Sequence, residues 1–455
     1  MHLYRPDPPY FAGDCMPFYH AGVFHLFYLL DENHHRGNGG LGGHQWAHVS
    51  TSDLVHWQHH PLALSITQPE EASICTGSVF WHNGLFYAFY AQRKPDWSQH
   101  LCMATSQDGI IFRKSSTNPL LSPPIGYGRF DFRDPFVFQM GECFHMLLTA
   151  RREPFPLFDR GGCLLHLESP DLLAWQVCEP LIIPASLPGQ VPECSDHFFW
   201  NGWYYLIFSQ GLHTVYRIAR APFGPWQKPA VEPLDSMLNS VIKTSPIWDN
   251  RRLAVGFIGS REGDRDGAPM LWAGNIVFRE LVQHPDGTLS TRFVPEMRLP
   301  TDSPLAIHPT PLTGGANFTH TRLTLDAGQT QEVAVLDGVP HDFFMRCHAS
   351  CTGPSVRFGL GLRGSGNFEN FIELAFMPGL ARASLAGESI DGVNNLSQPF
   401  SVEVVFSGDV VEVCVAGSRC LIDRLPDLSG ERLFLFCENG TATFQEIEIN
   451  PLAVH

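Results

Sequence analysis

An aspartate or glycine turn followed by an aromatic recurs four times in the first half of the chain, and no other feature limits its fold so strongly. The turns are Ser52-Asp53-Leu54-Val55-His56-Trp57, Gln107-Asp108-Gly109-Ile110-Ile111-Phe112, Pro170-Asp171-Leu172-Leu173-Ala174-Trp175 and Pro222-Phe223-Gly224-Pro225-Trp226. Their aromatics lie 55, 63 and 51 residues apart, a spacing that suits blade-like units and not helical repeats. Between these marks, Asn-Gly turns join aromatic strands, as in Trp81-His82-Asn83-Gly84-Leu85-Phe86 and Trp200-Asn201-Gly202-Trp203-Tyr204, the signature of tight hairpins. Each unit reads as a small antiparallel sheet that cannot bury its faces alone. A radial stack of such sheets, a β-propeller, solves that problem.

Five blades fit residues 1–300, with the fifth carried by 253–259 and 275–281. The stretch 301–317 is rich in Pro, Thr and Gly and reads as a linker. From 318 to 455, short alternating strands such as 401–406 and 410–415, separated by Gly-containing turns, predict a β-sandwich. The expected fold class is therefore all-β: a five-bladed β-propeller followed by a C-terminal β-sandwich. A chain of 455 residues suits two domains, and a net charge of −16 disfavours nucleic acid or anionic membranes as partners while suiting a neutral ligand such as a sugar. With no apolar run of signal-peptide or membrane-helix length, a cytoplasmic protein is expected.

Twelve cysteines are scattered through apolar strands without a Cys-x-x-Cys pair, so reduced, mostly buried thiols are expected. Histidines crowd one region, at 34, 35, 44, 48, 56, 59 and 60, in no recognised metal motif. No metal site and no cofactor are expected.

Three carboxylate motifs, Gly13-Asp14-Cys15, Arg133-Asp134-Pro135 and Glu193-Cys194, each precede an aromatic, β-rich run. Carboxylates at the starts of strands converge on one pocket if those strands belong to successive blades. Cleaving a glycosidic bond with retention needs such a set: one ionised carboxylate attacks the anomeric carbon and a protonated one serves the leaving oxygen, the two roughly 5–5.5 Å apart. Burial and neighbouring charge must push their pKa values apart. Glu193 stands beside a Cys and close to two Phe, and an ionisable group at an apolar strand start asks for a function.

These residues resemble glycoside hydrolase family 32, the β-fructofuranosidases, invertases, inulinases and levanases, across nearly the whole chain. Phe132-Arg133-Asp134-Pro135-Phe136-Val137-Phe138 is similar to that family's Arg-Asp-Pro block and Pro192-Glu193-Cys194-Ser195-Asp196 to its Glu-Cys block. The stretches 46–57, Cys75-Thr76-Gly77-Ser78 and Trp272-Ala273-Gly274 are similar too. The resemblance implies a retaining mechanism in a central funnel, with Asp14 as nucleophile, Glu193 as general acid/base and Asp134 gripping sugar hydroxyls. Arg133, Trp46, Phe130, Asp31 and Ser78 are the expected substrate-binding residues, with Trp46 and Phe130 as stacking surfaces; Trp81 and Trp97 are further aromatics of that kind. The family's first block usually reads Trp-Met-Asn-Asp-Pro-Asn-Gly, whereas this chain has Phe11-Ala12-Gly13-Asp14-Cys15-Met16-Pro17. Both asparagines, whose amides contact sugar hydroxyls in the family, are missing; Asp31, His34 or His35 are expected to substitute. The glycine-rich stretch 36–43 is expected either as a rim over the funnel or as a plain hairpin connection.

The leading expectation is a retaining exo-acting hydrolase of β-fructofuranosides whose partner is a small furanoside. A family 43-like inverting furanosidase or xylosidase would instead set its carboxylates roughly 6.5–9.5 Å apart. A fructosyltransferase variant differs only in how well water is excluded. A non-catalytic carbohydrate-binding propeller is the alternative from another class. The C-terminal sandwich is expected to brace the propeller or to form a homodimer contact.

Overall fold

The computed structural model describes residues 3–35, 40–154, 161–181, 190–211, 213–353 and 356–453. It is all-β: among the described residues the only helices are five 3-10 turns of three residues each. Two compact units divide the chain, one of 1–230, 239–259 and 271–289, the other of 231–238, 260–270 and 290–455.

The first unit is built on five strands, Tyr10–His20, Ser73–His82, Tyr127–Met140, Glu193–Trp200 and Ser240–Pro246. Each opens an antiparallel meander, pairing with the strand that follows it in sequence. The second, third and fourth meanders are separate sheets of four, four and three strands; the first and fifth share one nine-stranded sheet, joined where Gly274 pairs with Ala12. Each of the five opening strands packs on the next, and the last packs on the first.

All five carry the same irregularity at the same place. Register slips by one residue between Ala12 and Cys15, Ile74 and Gly77, Arg133 and Phe136, Glu193 and Asp196, and Ser240 and Lys243. Such a β-bulge bends the strand and re-aims a side chain that strict alternation would send elsewhere. The backbone at three of them, Asp134, Cys194 and Val241, has positive φ (58°, 52° and 52°).

The recurring turns have one hydrogen-bond pattern. Asp53, Asp108 and Asp171 each accept two backbone N–H groups with Oδ1, from Val55 and His56, Ile110 and Ile111, and Leu173 and Ala174. The hydroxyl two residues earlier, Thr51, Ser106 or Ser169, accepts the aspartate's own N–H. These are Asx and Ser/Thr turns, favoured because a short polar side chain satisfies backbone groups locally. The aromatic after each of the first three turns packs on the preceding meander: Trp57 on Phe278 of the fifth, Phe112 on Phe27 of the first and Trp175 on Phe89 of the second, with ring centroids 5.5–5.7 Å apart. The fourth, Trp226, lacks the aspartate turn but joins Leu147 and Leu164 of the preceding sheet in one cluster. The period read in the sequence is thus the period of inter-sheet wedges.

In the second unit two seven-stranded antiparallel sheets share one large apolar cluster. Alternate residues supply it: Phe343, Met345, Cys347, Ala349 and Cys351 from one sheet, Phe358, Leu360 and Leu362 from the other. All twelve cysteines are free, as expected. No helix among the described residues is long and apolar enough to cross a membrane.

Candidate functional site

Three of the five bulges bring the carboxylates together. Asp14 lies in the bulge of Tyr10–His20 and is almost fully buried. Its Oδ2 accepts the Thr76 hydroxyl at 2.5 Å, from the corresponding bulge of the second sheet, and the Cys194 thiol at 3.6 Å, from the fourth. Its Oδ1 is buried and accepts no hydrogen bond from any described residue. Burial is the main cause that raises its pKa to about 6; the Thr76 bond opposes this, and the charges of Asp134 and Glu193 add to it.

Cys194 also donates its backbone N–H to Asp134 Oδ2 at 3.1 Å. One residue at positive φ therefore ties two carboxylates, N–H to Asp134 and S–H to Asp14. The Thr149 hydroxyl lies 3.2 Å from Asp134 Oδ2 and 2.9 Å from Pro192 O. Glu193 keeps about a third of its side chain exposed, and its Oε1 accepts Arg133 Nη2 at 2.5 Å. Burial raises the Glu193 pKa, with Arg133 opposing and Asp134 reinforcing the shift. Arg133 itself is clamped by Asp131 at 2.7 Å and lies 3.7 Å from Asp134; burial alone would lower its pKa, but Asp134, Glu193 and Asp131 together raise it. Asp131 in turn holds Arg151 at 2.6 Å.

The other expected residues fall in different places. Phe130 is half exposed, with Arg129 4.6 Å over its ring and its carbonyl bonded to Arg133 Nη1. Trp46 is a correction: it is completely buried, its Nε1 donates to Cys75 O, and its ring packs between the first two sheets, leaving no face for a sugar. Ser78 is also buried and accepts the Val137 N–H, so it joins two adjacent strands. Asp31 is buried and bonded to His44 Nε2 at 3.1 Å. His44 stacks on Trp272, 4.6 Å between centroids, and Trp272 covers Gly13. Trp81 stacks on His20, five residues beyond Thr76 and roughly 17 Å along its strand from the bulge, at the wrong end for the carboxylates. Trp97, 61% exposed under Arg93, stands in the hairpin whose first strand pairs Arg93 with Ser73, at the bulge end. His34 reaches Trp272 O with Nδ1. The stretch 36–39 of the expected rim lies outside the described residues.

The missing asparagine has a steric counterpart. A Cβ at Gly13 would lie 2.2 Å from the Trp272 ring, so the indole fills the space that any side chain at position 13 would need. Met16, at the second altered position, is buried and its sulfur accepts the Gly77 N–H.

Just beyond the bulges, Met16, Gly77, Phe136, Asp196, Lys243 and Arg252 line a cavity of about 150 Å³. Thr76, Thr149, Trp272 and the double role of Cys194 were missed as site residues. Thr76 and Trp272 stood inside stretches already matched, and the signal that would have found Thr76 is its place in the five-fold alignment of bulges opposite Asp14.

Residues 13–223 match the model of the glycosyl hydrolases family 32 N-terminal domain. Over those residues the chain is similar to glycoside hydrolase family 32. The chain is 27% identical over 299 residues to a sucrose-6-phosphate hydrolase of Escherichia coli, covering 60% of each chain. It is 26% identical over 303 residues to a raffinose invertase of Escherichia coli, covering 61% of each. The match thus spans about three fifths of the length of these curated relatives. Among solved structures, the fructan 1-exohydrolase IIa of Cichorium intybus, in complex with 1-kestose, superposes with a TM-score of 0.74 at 16% identity, covering 98% of this chain and 97% of that one. At that identity the likeness speaks for the fold.

Proposed function

We propose that this chain is a glycoside hydrolase of family 32, retaining and exo-acting on β-fructofuranosides. The observation that carries the reading is the convergence of Asp14, Asp134 and Glu193 from three separate sheets through Cys194 and Arg133. Asp14, with one oxygen held by Thr76 and the other bonded by no described residue, is the nucleophile: Oδ1 attacks the anomeric carbon while Glu193 gives its proton to the leaving oxygen. A fructosyl ester of Asp14 forms. Glu193, now ionised beside Arg133, takes a proton from water, which attacks the same carbon from the side the leaving group left; the ester bond breaks, Asp14 departs as a carboxylate and the configuration is retained. Asp134, beside the Arg133 guanidinium, accepts hydrogen bonds from sugar hydroxyls. Phe130 and Trp97 form the aromatic rim.

The relatives named for sucrose-6-phosphate, raffinose and fructan chemistry support a small fructoside as substrate. With an indole and a thioether where the family carries amides, the sugar is recognised through fewer donors near Asp14, which changes discrimination among furanosides. The same proposal includes a closed ring of five blades over 1–300, a linker at 301–317 and a sandwich over 318–455; the cyclic packing of the five opening strands supports the ring.

The test is time-resolved NMR of the first product formed from a panel of fructo-oligosaccharides, sucrose, sucrose 6-phosphate and aryl furanosides. Initial release of β-fructose is the expected result. An inverted pentose or galactofuranose product would move the chain to the inverting alternative, and absence of turnover across the panel would defeat the hydrolase reading.

A further inference from the structure

A second cluster of functional side chains lies in the third sheet, on the strands Cys143–Arg152 and Gly162–Ser169. His145 Nδ1 and His166 Nε2 are 3.0 Å apart, Glu168 Oε1 is 3.6 Å from the first and 4.0 Å from the second. The circle through these three atoms has a radius of about 2.1 Å. That is the bond length of zinc to imidazole nitrogen or carboxylate oxygen, roughly 2.0–2.2 Å. An ion near the centre of the triangle would touch all three ligand atoms without movement of the backbone. His145 and His166 are largely buried, Glu168 is 44% exposed, so a further coordination position faces solvent.

We propose that His145, His166 and Glu168 form a binding site for a divalent transition-metal ion of the zinc class. Two imidazoles and one carboxylate with an open position form the donor set such ions take in N/O sites. The site is distinct from the carboxylates of the proposed active site: His145 lies four residues along its strand from Thr149, roughly 13 Å at the strand rise.

The first sheet supplies an internal control. His25 pairs across the ladder with Ser50 and Phe27 with His48, as His145 pairs with Glu168 and Leu147 with His166. The His25 Nδ1 to His48 Nε2 distance is 3.1 Å, the same contact between the same atoms. Where the third sheet has Glu168, however, the first has Ser50, whose hydroxyl meets His60 Nε2 at 2.8 Å. The histidine pair thus recurs in two of the sheets, and among the described residues the carboxylate that completes a ligand set is present in one of the two.

The experiment is isothermal titration of the chelator-treated full chain with zinc chloride, with cobalt(II) as the spectroscopic probe of coordination. The variants are Glu168→Gln and His166→Gln, with His48→Gln as control. Wild type is expected to bind zinc, with the intense visible absorption of low-coordinate cobalt. Because even outer-shell changes at metal sites cost about 10–100-fold in affinity, loss of a ligand at 166 or 168 is expected to weaken binding by more than tenfold, and His48→Gln to leave it unchanged. Equal zinc affinity and stoichiometry in wild type and Glu168→Gln would overturn the proposal, as would equal weakening by His48→Gln. Glu168 is half exposed, so its variant keeps the test decisive if a buried histidine variant fails to fold. Hydrolysis of the best substrate by Glu168→Gln, measured in parallel, is expected to match wild type.

Discussion

The five opening strands of the first unit share one bulge but not one chemistry. In the first, third and fourth, the bulge carries or adjoins Asp14, Asp134 and Glu193; in the second it carries Cys75 and Thr76, and in the fifth Val241 and Ile242. The backbone therefore supplies the aim five times, and the side chains use it three times for carboxylates. Thr76 marks an intermediate case, since its hydroxyl serves Asp14 from the neighbouring sheet. Val241 shows the cost without the benefit: a β-branched residue at φ 52° is sterically disfavoured and carries no ionisable group.

Replacing a carboxylate at a bulge should have the largest effect. Asp14→Asn replaces the carboxylate proposed as nucleophile by a neutral amide, and kcat on the best substrate is expected to fall by about 10⁴-fold or more; a loss below tenfold would break the assignment. The same variant should be the more stable protein at neutral pH. Folding raises the Asp14 pKa from 3.8 to about 6, so the folded state favours the neutral acid. The resulting destabilisation is absent below about pH 4 and complete above about pH 6 to 7, where it is on the order of 3 kcal/mol. Melting curves of the two proteins should coincide at pH 3.5 and separate at pH 7.5, with the variant higher.

Next in size is Glu193→Gln, expected to lower kcat by about 10²–10⁴-fold for an alkyl leaving group. An aryl fructoside, whose leaving oxygen needs no proton, should be cleaved far better by this variant than sucrose is. Equal losses on both substrates would remove Glu193 from the acid role.

Thr76→Val tests the bulge that only assists. Without its hydroxyl the Asp14 carboxylate loses the bond that favours its charged form, so its pKa moves further up. The acid limb of the kcat/KM profile, set near pH 6 by Asp14, is expected to shift upward by about one unit, with smaller losses at pH 8 than at pH 6. A uniform loss at all pH values would mean that Thr76 packs against Asp14 without tuning it.

The smallest effect is expected at the fifth bulge. Val241→Gly relieves the positive φ, offset by the greater freedom of glycine in the unfolded chain, so stability should change by no more than about 1 kcal/mol and kcat should not move. A tenfold loss of activity there would show that the fifth strand takes part in the site after all.

Much of this architecture was legible before any coordinates. The Asp-turn and aromatic marks gave the period because each is a local device: an aspartate accepting N–H groups two and three residues on needs no distant partner. The three carboxylates could be named from short motifs at strand starts. Trp46 was misjudged as a stacking surface because a matched motif does not reveal which way a strand faces; its ring belongs to the packing between two sheets. Cys194 and Thr76 were undervalued because their partners lie 180 and 62 residues away in the chain, a separation no local pattern encodes.

What the sequence by itself determined was therefore the all-β class, the repeat and the identity of the acidic groups. The class and the repeat follow from local side-chain chemistry recurring every 51–63 residues; the acidic groups follow from short motifs and the resemblance those motifs carry. Tertiary structure alone decided which groups meet: the bulges that turn Asp14 and Asp134 toward Cys194, the indole that occupies the room above Gly13, and the carboxylate that joins one histidine pair and not the other. Contacts across sheets depend on register and burial, and a one-residue slip in a strand reverses which face a side chain takes.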